Sequence, residues 1–251
     1  MEAILTALRA QHAALASMLD ALDDDGWHRP TRCEGWDVAD VVLHLAQTDE
    51  LALASVQGRF AAGLAVLAHG LEGQGTVDDG AAAMVARDRG MPDAALLERW
   101  RTAAAALREA LEASDLHQRV DWVAGQLSTR TLATTRLAEC WIHTGDVADA
   151  VGVVQELTEA LEHVARLAWR TLPYAFARAG RALSGPVAFE LDSPSGSHWR
   201  FLPGADAATV IEGSGVELGL VAARRVAAEQ TSLRGTGPDV RAVLELVRTY
   251  A

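Results

Sequence analysis

Apolar residues recur at helical spacing through the first three fifths of the chain. The clearest pattern runs from about residue 128 to 150 and contains no proline, which predicts one long helix. The same period predicts helices over residues 2–22, 38–57 and 93–114, an apolar helical continuation over 58–68 and a short helix over 81–88. Residues 71–80 are rich in Gly and Asp and predict a surface loop. Four long helices with a loop-rich middle indicate a helical bundle.

The pattern changes after Gly152. Residues 157–183 predict another long helix, and two short segments of alternating polarity then flank the turn-forming stretch Asp-Ser-Pro-Ser-Gly, which predicts a β-hairpin. The two hairpin strands are predicted at 187–191 and 197–201. A third strand is predicted at 208–212 and a possible fourth near 232–235. Two helices are predicted at 216–228 and 238–249. We therefore predict a mainly α protein, with a helical bundle over residues 1–152 and a small α+β domain over residues 153–251.

Two polar residues share one face of the predicted helix over 128–150. Glu139 and His143 are four positions apart, so their side chains leave the helix about one turn from each other. Burying a carboxylate and an imidazole is costly unless each has a partner. The pair could be half of a metal site, and it also fits a hydrogen-bonded Glu–His pair inside a bundle.

A second histidine lies in the helix predicted after Asp37. Asp37 is a suitable N-cap, and His44 lies in the apolar run that follows it. Such a histidine is often a core residue satisfied by hydrogen bonds. Two helices that each contribute nitrogen or oxygen ligands would instead form a His/Glu/His metal site with one coordination position open.

The composition excludes several classes of protein to which this chain could otherwise belong. No apolar run approaches 18 residues and the N-terminus lacks the basic start of a signal peptide, so we expect no transmembrane span and no secretion. Two cysteines are too few for a disulfide framework, which favours the cytoplasm. The net charge of −12 argues against nucleic acid and anionic membranes as partners. The chain has no lysine, which excludes Schiff-base and P-loop chemistry.

Three other residues carry possible chemistry. His12 lies on or beside the apolar face of the first helix, where a structural role is expected. His117 lies in a connecting segment and is expected to be exposed. Cys33 lies shortly before the helix of His44 and could supply a thiolate ligand or a nucleophile, although nothing near it in the sequence obviously activates it.

The first half of the chain resembles the DinB-like metalloenzyme superfamily, specifically its mycothiol-dependent maleylpyruvate isomerase branch. The resemblance rests on the stretch from Thr31 to Val38 with its Gly-Trp pair, on the helix carrying His44, and on Arg-x-x-Glu-x-x-x-His-x-x-Asp from Arg136 to Asp146. The tail resembles the small α+β domain, similar to sterol carrier proteins, that follows the bundle in this branch.

The resemblance implies a set of site residues. His44, Glu139 and His143 match the metal ligands, with zinc the expected metal and other divalent ions possible. Asp146 matches a second acidic position beside the ligands. Arg136 could pair with a carboxylate of the site or of the substrate, and Arg225 is the candidate for an arginine that the C-terminal domain contributes to activity.

The resemblance also implies an activity. Mycothiol would bind the open metal position as a thiolate and add to a small electrophilic substrate, as in a cis/trans isomerase or an S-transferase. One alternative is a metal- and ligand-binding protein without turnover. Another is a metal-dependent hydrolase that uses a metal-activated water, with Asp146 as its general base. A monomer or a homodimer is expected.

Overall fold

The structure, a computed structural model, describes residues 2–71 and 75–249. The chain divides into two compact units, residues 1–155 and 156–250. The first unit is helical and the second combines helices with a small sheet, so the mainly α fold class with an α+β tail is confirmed. No described helix is both long and apolar enough to cross a membrane.

Four long helices form the first unit, and the bundle prediction is confirmed. They are α1 (Glu2–Asp20), α3 (Val38–Val56), α6 (Asp93–Ala113) and α7 (Thr129–Val151). Helix α3 is central: it packs against both α6 and α7, while α1 packs against α7 and α6. Each helix buries its apolar stripe, as the hydrophobic period requires.

The ends of α3 and α7 are fixed by local chemistry. Asp37 caps α3 as predicted: its carboxylate accepts the Asp40 backbone N–H, and the Asp40 carboxylate accepts the Asp37 backbone N–H. Ser128 caps α7, and Gly152 ends it in the left-handed conformation with φ of 73°. Both helices therefore start at defined residues, which fixes the position along the helix axis of each side chain they carry.

The shorter elements of this unit differ from the prediction. A turn separates α3 from α4 (Phe60–Leu67), where Gly58 has φ of 70°. Helix α5 (Val77–Asp88) begins four residues before the predicted start, because Thr76 caps it. Part of the predicted 71–80 loop, residues 72–74, lies outside the described residues. A one-turn helix α2 (Asp24–Trp27) and a small hairpin, β1 (Arg119–Val120) with β2 (Leu127–Ser128), were not predicted.

The second unit contains a four-stranded sheet. The predicted hairpin is present as β3 (Val187–Asp192) and β4 (His198–Phe201), which pair in antiparallel register. Strand β5 (Thr209–Ser214) pairs in parallel with β3 on its other side, and β6 (Arg234–Thr236) pairs antiparallel with β5. The strand order is therefore β4-β3-β5-β6.

The helices of this unit are shorter than their sequence patterns suggested. They are α8 (Leu161–Arg178), α9 (Gly215–Ala222) and α10 (Val240–Leu246). Helix α9 ends before Arg224 and Arg225, which the predicted helix over 216–228 would contain, because Arg224 takes a left-handed conformation with φ of 61°, which helical geometry does not accept. Arg225 thus follows the helix rather than ending it.

Candidate metal centre

The three predicted ligands meet between α3 and α7. His44 lies near the middle of α3, and Glu139 and His143 occupy successive turns of α7. Glu139 Oε2 lies 3.5 Å from His44 Nε2 and 3.7 Å from His143 Nε2. The two imidazole rings meet edge to face with centroids 5.1 Å apart. The structure thus brings the three side chains together, with one nitrogen of each histidine facing the same carboxylate oxygen.

The spacing of these atoms fits a cation better than direct hydrogen bonds. N–H···O hydrogen bonds usually span about 2.7–3.2 Å, shorter than both separations. Ligands about 2.0–2.2 Å from a tetrahedral zinc ion lie roughly 3.3–3.5 Å from one another. Two imidazole nitrogens and one carboxylate oxygen are also a donor set that zinc accepts, and a fourth position would remain for a small molecule.

The charges of this cluster are strongly coupled. Burial disfavours the Glu139 carboxylate, but its hydrogen bond to His44 and the charges of His143 and Arg136 outweigh burial and lower its pKa to about 2. Burial lowers the pKa of His44 in spite of Glu139. Two of the three ligands, Glu139 as a carboxylate and His44 as a neutral imidazole, therefore favour the forms that bind metal.

A second acidic residue, Asp146, forms a hydrogen bond with the Nδ1 atom of His143. Asp146 Oδ2 lies 3.0 Å from His143 Nδ1, and Asp146 is almost completely buried. Burial opposes the imidazolium, yet the bonds to Asp146 and Cys33 and the charge of Glu139 raise the pKa of His143 to about 9. A carboxylate on Nδ1 fixes the ring orientation and leaves Nε2 toward Glu139, as in metal sites generally.

Cys33 belongs to this arrangement: the sequence suggested it as a possible thiolate ligand or nucleophile, but not its contact with Asp146 and His143. The Cys33 thiol donates to Asp146 Oδ2 at 3.3 Å and lies 3.9 Å from His143 Nδ1. The loop that carries Cys33 is tied to α7 by a bidentate pair between Arg32 and Asp149, at 2.8 Å for each bond. Cys33, His143 and Asp146 also form a possible ligand group of their own. A turn that folds back on a distant helix leaves no periodic signal in the sequence.

Arg136 lies on α7, one turn before Glu139, and is buried. Its Nε donates to Asp49 Oδ1 at 2.9 Å and its Nη2 donates to the Thr48 hydroxyl at 2.7 Å. The Thr48 hydroxyl in turn donates to the His44 carbonyl oxygen at 2.8 Å. Arg136 thus pairs with a carboxylate on α3 that does not belong to the ligand set. A bond between Arg136 and a substrate stays a prediction.

Two further histidines that the sequence singled out, His12 and His117, differ in their surroundings. His12 is buried, as expected for a structural residue: its Nδ1 accepts from Arg108 at 2.6 Å and its Nε2 lies 3.9 Å from Asp49 Oδ2. His117 is exposed, as expected, and its backbone N–H donates to Asp115. Neither belongs to the ligand set.

Arg225 belongs to the second unit. Its Nη1 donates to the Ala223 carbonyl oxygen at 2.9 Å, and the residue is partly exposed. Its predicted part in activity stays a prediction.

Comparisons with known proteins identify the family of this chain. The sequence model of the Mycothiol maleylpyruvate isomerase N-terminal domain matches residues 8–148, more than half of the chain. Two uncharacterized proteins of Mycobacterium tuberculosis, from strains CDC 1551 / Oshkosh and H37Rv, are each 32% identical over 245 residues, which cover 97% of this chain and 93% of theirs.

Two solved structures share the fold. A crystal structure of the mycothiol-dependent maleylpyruvate isomerase has a TM-score of 0.61 at 20% identity and covers 95% of each chain. A structure of a histidine-to-alanine mutant of that isomerase has a TM-score of 0.60 at 22% identity, covering 90% of this chain and 89% of the other. The chain belongs to the mycothiol maleylpyruvate isomerase family.

Proposed function

We propose that this protein is a metal-dependent enzyme that activates mycothiol for addition to a small electrophilic substrate. The observation that carries the proposal is the convergence of His44 Nε2, Glu139 Oε2 and His143 Nε2 in a member of this family. Zinc is the metal that this donor set favours, although other divalent ions accept it too. When bound, zinc would favour the deprotonated form of a thiol at its open position.

The side chains of α3 and α7 would hold the metal ion and orient its ligands. His44, Glu139 and His143 would hold the cation between the two helices. Asp146 would keep the proton on His143 Nδ1, so that Nε2 stays available. Because all of these residues lie on helices, the site has little freedom to distort when the thiol enters.

The proposed reaction is the addition of the thiolate to a double bond conjugated to a carbonyl. Rotation about the resulting single bond and loss of the thiol would give the trans isomer, whereas retention of the thioether would make the protein an S-transferase. Arg225 would bind a carboxylate or enolate oxygen of the substrate, since a guanidinium offers two parallel N–H donors. Both outcomes use the same residues, and the isomerase is the activity named for the two solved structures.

The hydrolase alternative has less support from the geometry. A hydrolase would need a general base beside a nucleophilic water. Asp146, the candidate for that base, bonds His143 Nδ1 and Cys33, on the edge of the imidazole opposite Nε2. The geometry therefore favours Asp146 as the residue that orients His143.

Cobalt substitution tests the proposal directly. We expect one cobalt ion per chain and, on titration with mycothiol, a strong sulfur-to-cobalt absorption band. The His44→Ala variant should lose both, because it lacks one of three ligands. Metal binding without any band would overturn thiol activation, and a failure to bind metal would overturn the site.

Cys33 requires a control in this experiment, because its own sulfur lies next to His143. The Cys33→Ser variant should give the same band with mycothiol as the native protein. A band that appears before mycothiol is added and disappears in Cys33→Ser would instead identify Cys33 as a ligand.

Arg225 is tested by kinetics. Arg225→Ala should reduce kcat/KM for a carboxylate-bearing cis-enone by roughly 100-fold, the loss of a charge-assisted bidentate contact, with metal content unchanged. Arg224→Ala is the matched control, because Arg224 is the neighbouring arginine and its Nη1 bonds the Glu245 carbonyl oxygen. Equal losses in the two variants would show that Arg225 has no particular role.

A further inference from the structure

A cavity of about 420 Å³ opens in the first unit beside the loop that carries Cys33. Its volume lies in the range of small-molecule sites, about 300–1,000 Å³. The N-terminus of α3, the segment between α5 and α6, and the loop before α3 line it. None of the three predicted metal ligands is part of its lining. We define this polar pocket by His28, Trp36, Asp37, Asp40, Arg89, Met91 and Asp93.

The polar pocket offers hydrogen-bonding groups of both kinds around an apolar surface. Trp36 and Met91 supply that surface, and a tryptophan face is a good platform for the C–H face of a ring. The carboxylates of Asp37 and Asp40 each have lone pairs beyond those used for the α3 cap. Arg89, whose Nε and Nη2 hold Asp40 at 2.8 and 2.7 Å, is fixed with further N–H groups.

The charged groups of the polar pocket, three carboxylates against one arginine and one histidine, are paired with one another. Arg89 is neutralised by Asp40, and His28 Nδ1 lies 3.3 Å from Asp37 while its Nε2 lies 4.0 Å from Asp93. The bond to Asp37 raises the pKa of His28, which favours its charged form. An anionic ligand would face three carboxylates, and a cationic ligand would face Arg89 and His28. The lining therefore suits a neutral ligand with many hydroxyl groups.

One residue connects the polar pocket to the metal centre. The indole of Trp36 lines the pocket and also contacts the imidazole of His44, with ring centroids 5.2 Å apart. A ligand in the polar pocket would thus share one side chain, Trp36, with the metal centre. A bifunctional molecule, with a polyol at one end and a sulfur at the other, would span this shared residue.

We propose that the polar pocket binds the neutral polyol part of the thiol co-substrate, so that Trp36, His28, Asp93 and Arg89 select a glycosylated thiol over a simple one. This rests on the proposed function only in naming the thiol as mycothiol, whose non-thiol part is an amino sugar joined to inositol. A hydroxyl pair on neighbouring ring carbons matches the paired oxygens of a carboxylate and the paired N–H groups of a guanidinium.

Calorimetric titration of the full-length, metal-loaded protein tests the proposal with three probes. They are mycothiol, N-acetylcysteine as a thiol without the polyol, and N-acetylglucosaminyl-inositol as the polyol without the thiol. We expect the polyol alone to bind, and His28→Ala to weaken both polyol and mycothiol by about tenfold, one lost charge-assisted hydrogen bond. N-acetylcysteine should bind the native protein and His28→Ala equally.

The chain offers a matched control for His28. His198 is another exposed histidine, 3.2 Å from Asp192, and it belongs to the hairpin of the second unit. His198→Ala should leave the binding of all three probes unchanged. A second variant, Asp93→Asn, should weaken the polyol by a similar factor while preserving side-chain shape.

The outcomes separate the two proposals. One outcome is that mycothiol perturbs the cobalt spectrum, the polyol does not bind and His28→Ala leaves the affinity for mycothiol unchanged. The proposal for the polar pocket is then wrong and the proposed function stands. If the polyol binds in the pocket but no thiol reaches the metal, the pocket stands and thiol activation is wrong. Equal weakening of N-acetylcysteine by His28→Ala would also overturn the pocket, because it would show a general effect on the site.

Discussion

Two clusters of buried polar residues join α3 to α7, and they solve the same problem differently. The metal cluster consists of His44, Glu139, His143 and Asp146, and the core cluster consists of His12, Asp49, Arg136, Thr48 and Arg108. Both contain a histidine nitrogen and a carboxylate oxygen whose separation exceeds the usual length of a hydrogen bond, at 3.5 Å in the metal cluster and 3.9 Å in the core cluster. Their neighbours distinguish them.

In the core cluster the protein supplies its own cations. Arg136 pairs with Asp49, and Arg108 donates to His12. Burial, with the charges of Arg108 and Arg136, lowers the pKa of His12 to about 4 against the opposing effect of Asp49. The metal cluster instead directs two imidazole nitrogens and a carboxylate oxygen at one point, without an arginine bonded to Glu139 among the described residues. A buried His–carboxylate pair thus signals a cation site only where no arginine already compensates it.

The largest effect should come from removing the arginine of the core cluster. Arg136→Met leaves the Asp49 carboxylate buried without its cation, which costs about 3–5 kcal/mol in unfolding free energy. Urea unfolding of the metal-free protein measures this loss. The double variant Asp49→Leu with Arg136→Met should recover much of it, because no uncompensated charge remains.

The opposite pattern would change the interpretation of Arg136. If Arg136→Met kept its unfolding free energy but lost activity toward a carboxylate-bearing substrate, Arg136 would be the substrate-binding arginine that the sequence suggested. The two clusters would then both belong to the site.

A smaller effect should appear as a pH dependence of stability. His12 is neutral in the folded protein down to about pH 4, whereas an unfolded histidine takes up its proton near pH 6.5. The unfolded state therefore binds more protons between these values, and the native state loses stability as pH falls from about 6.5 to 4, by roughly 3 kcal/mol at most.

Comparison of native protein with His12→Gln isolates this effect from other titrating groups. Unfolding free energies at pH 7, 5.5 and 4.5, measured with a chelator present, should fall more steeply for the native protein. Parallel curves would show that His12 is not the neutral core residue described above.

The smallest effects should come from the residues behind His143. Asp146→Asn removes the carboxylate that accepts from Nδ1, and we expect metal affinity to fall by about 10–100-fold. Cys33→Ser keeps a donor toward Asp146 and should cost less than that. Competition with a coloured chelator measures both dissociation constants. A loss for Cys33→Ser equal to that for Asp146→Asn would instead indicate that the thiol binds the metal.

The sequence predicted those parts of the fold and site that depend on local spacing. The four long helices, the Asp37 cap and the shared face of Glu139 and His143 follow from period and capping chemistry. The meeting of His44 with that face does not, because periodicity shows which face is buried and not which helix it faces. The residues alone left that pairing as one of the open alternatives, and the family resemblance favoured it.

The unpredicted features depend on contacts between distant segments. The Asp49–Arg136 pair joins residues 87 positions apart, and its only trace in the sequence is a charge of each sign in the apolar stretches next to His44 and Glu139. The parallel pairing of β3 with β5 likewise leaves no signal, since alternation predicts strands but not their neighbours. Helix α9 was predicted too long because nothing local marks Arg224 as left-handed.

The two clusters also have a consequence for the register of the bundle. An apolar interface between two helices tolerates a slip of one turn, because one aliphatic side chain replaces another. Here α3 and α7 carry two separate sets of polar partners along the same seam, and a slip would unpair Asp49 from Arg136 and His44 from Glu139 together. Specifying register is the best attested role of buried polar contacts of this kind. The polar partners therefore select a single alignment of α3 and α7, and they can do so before any metal binds.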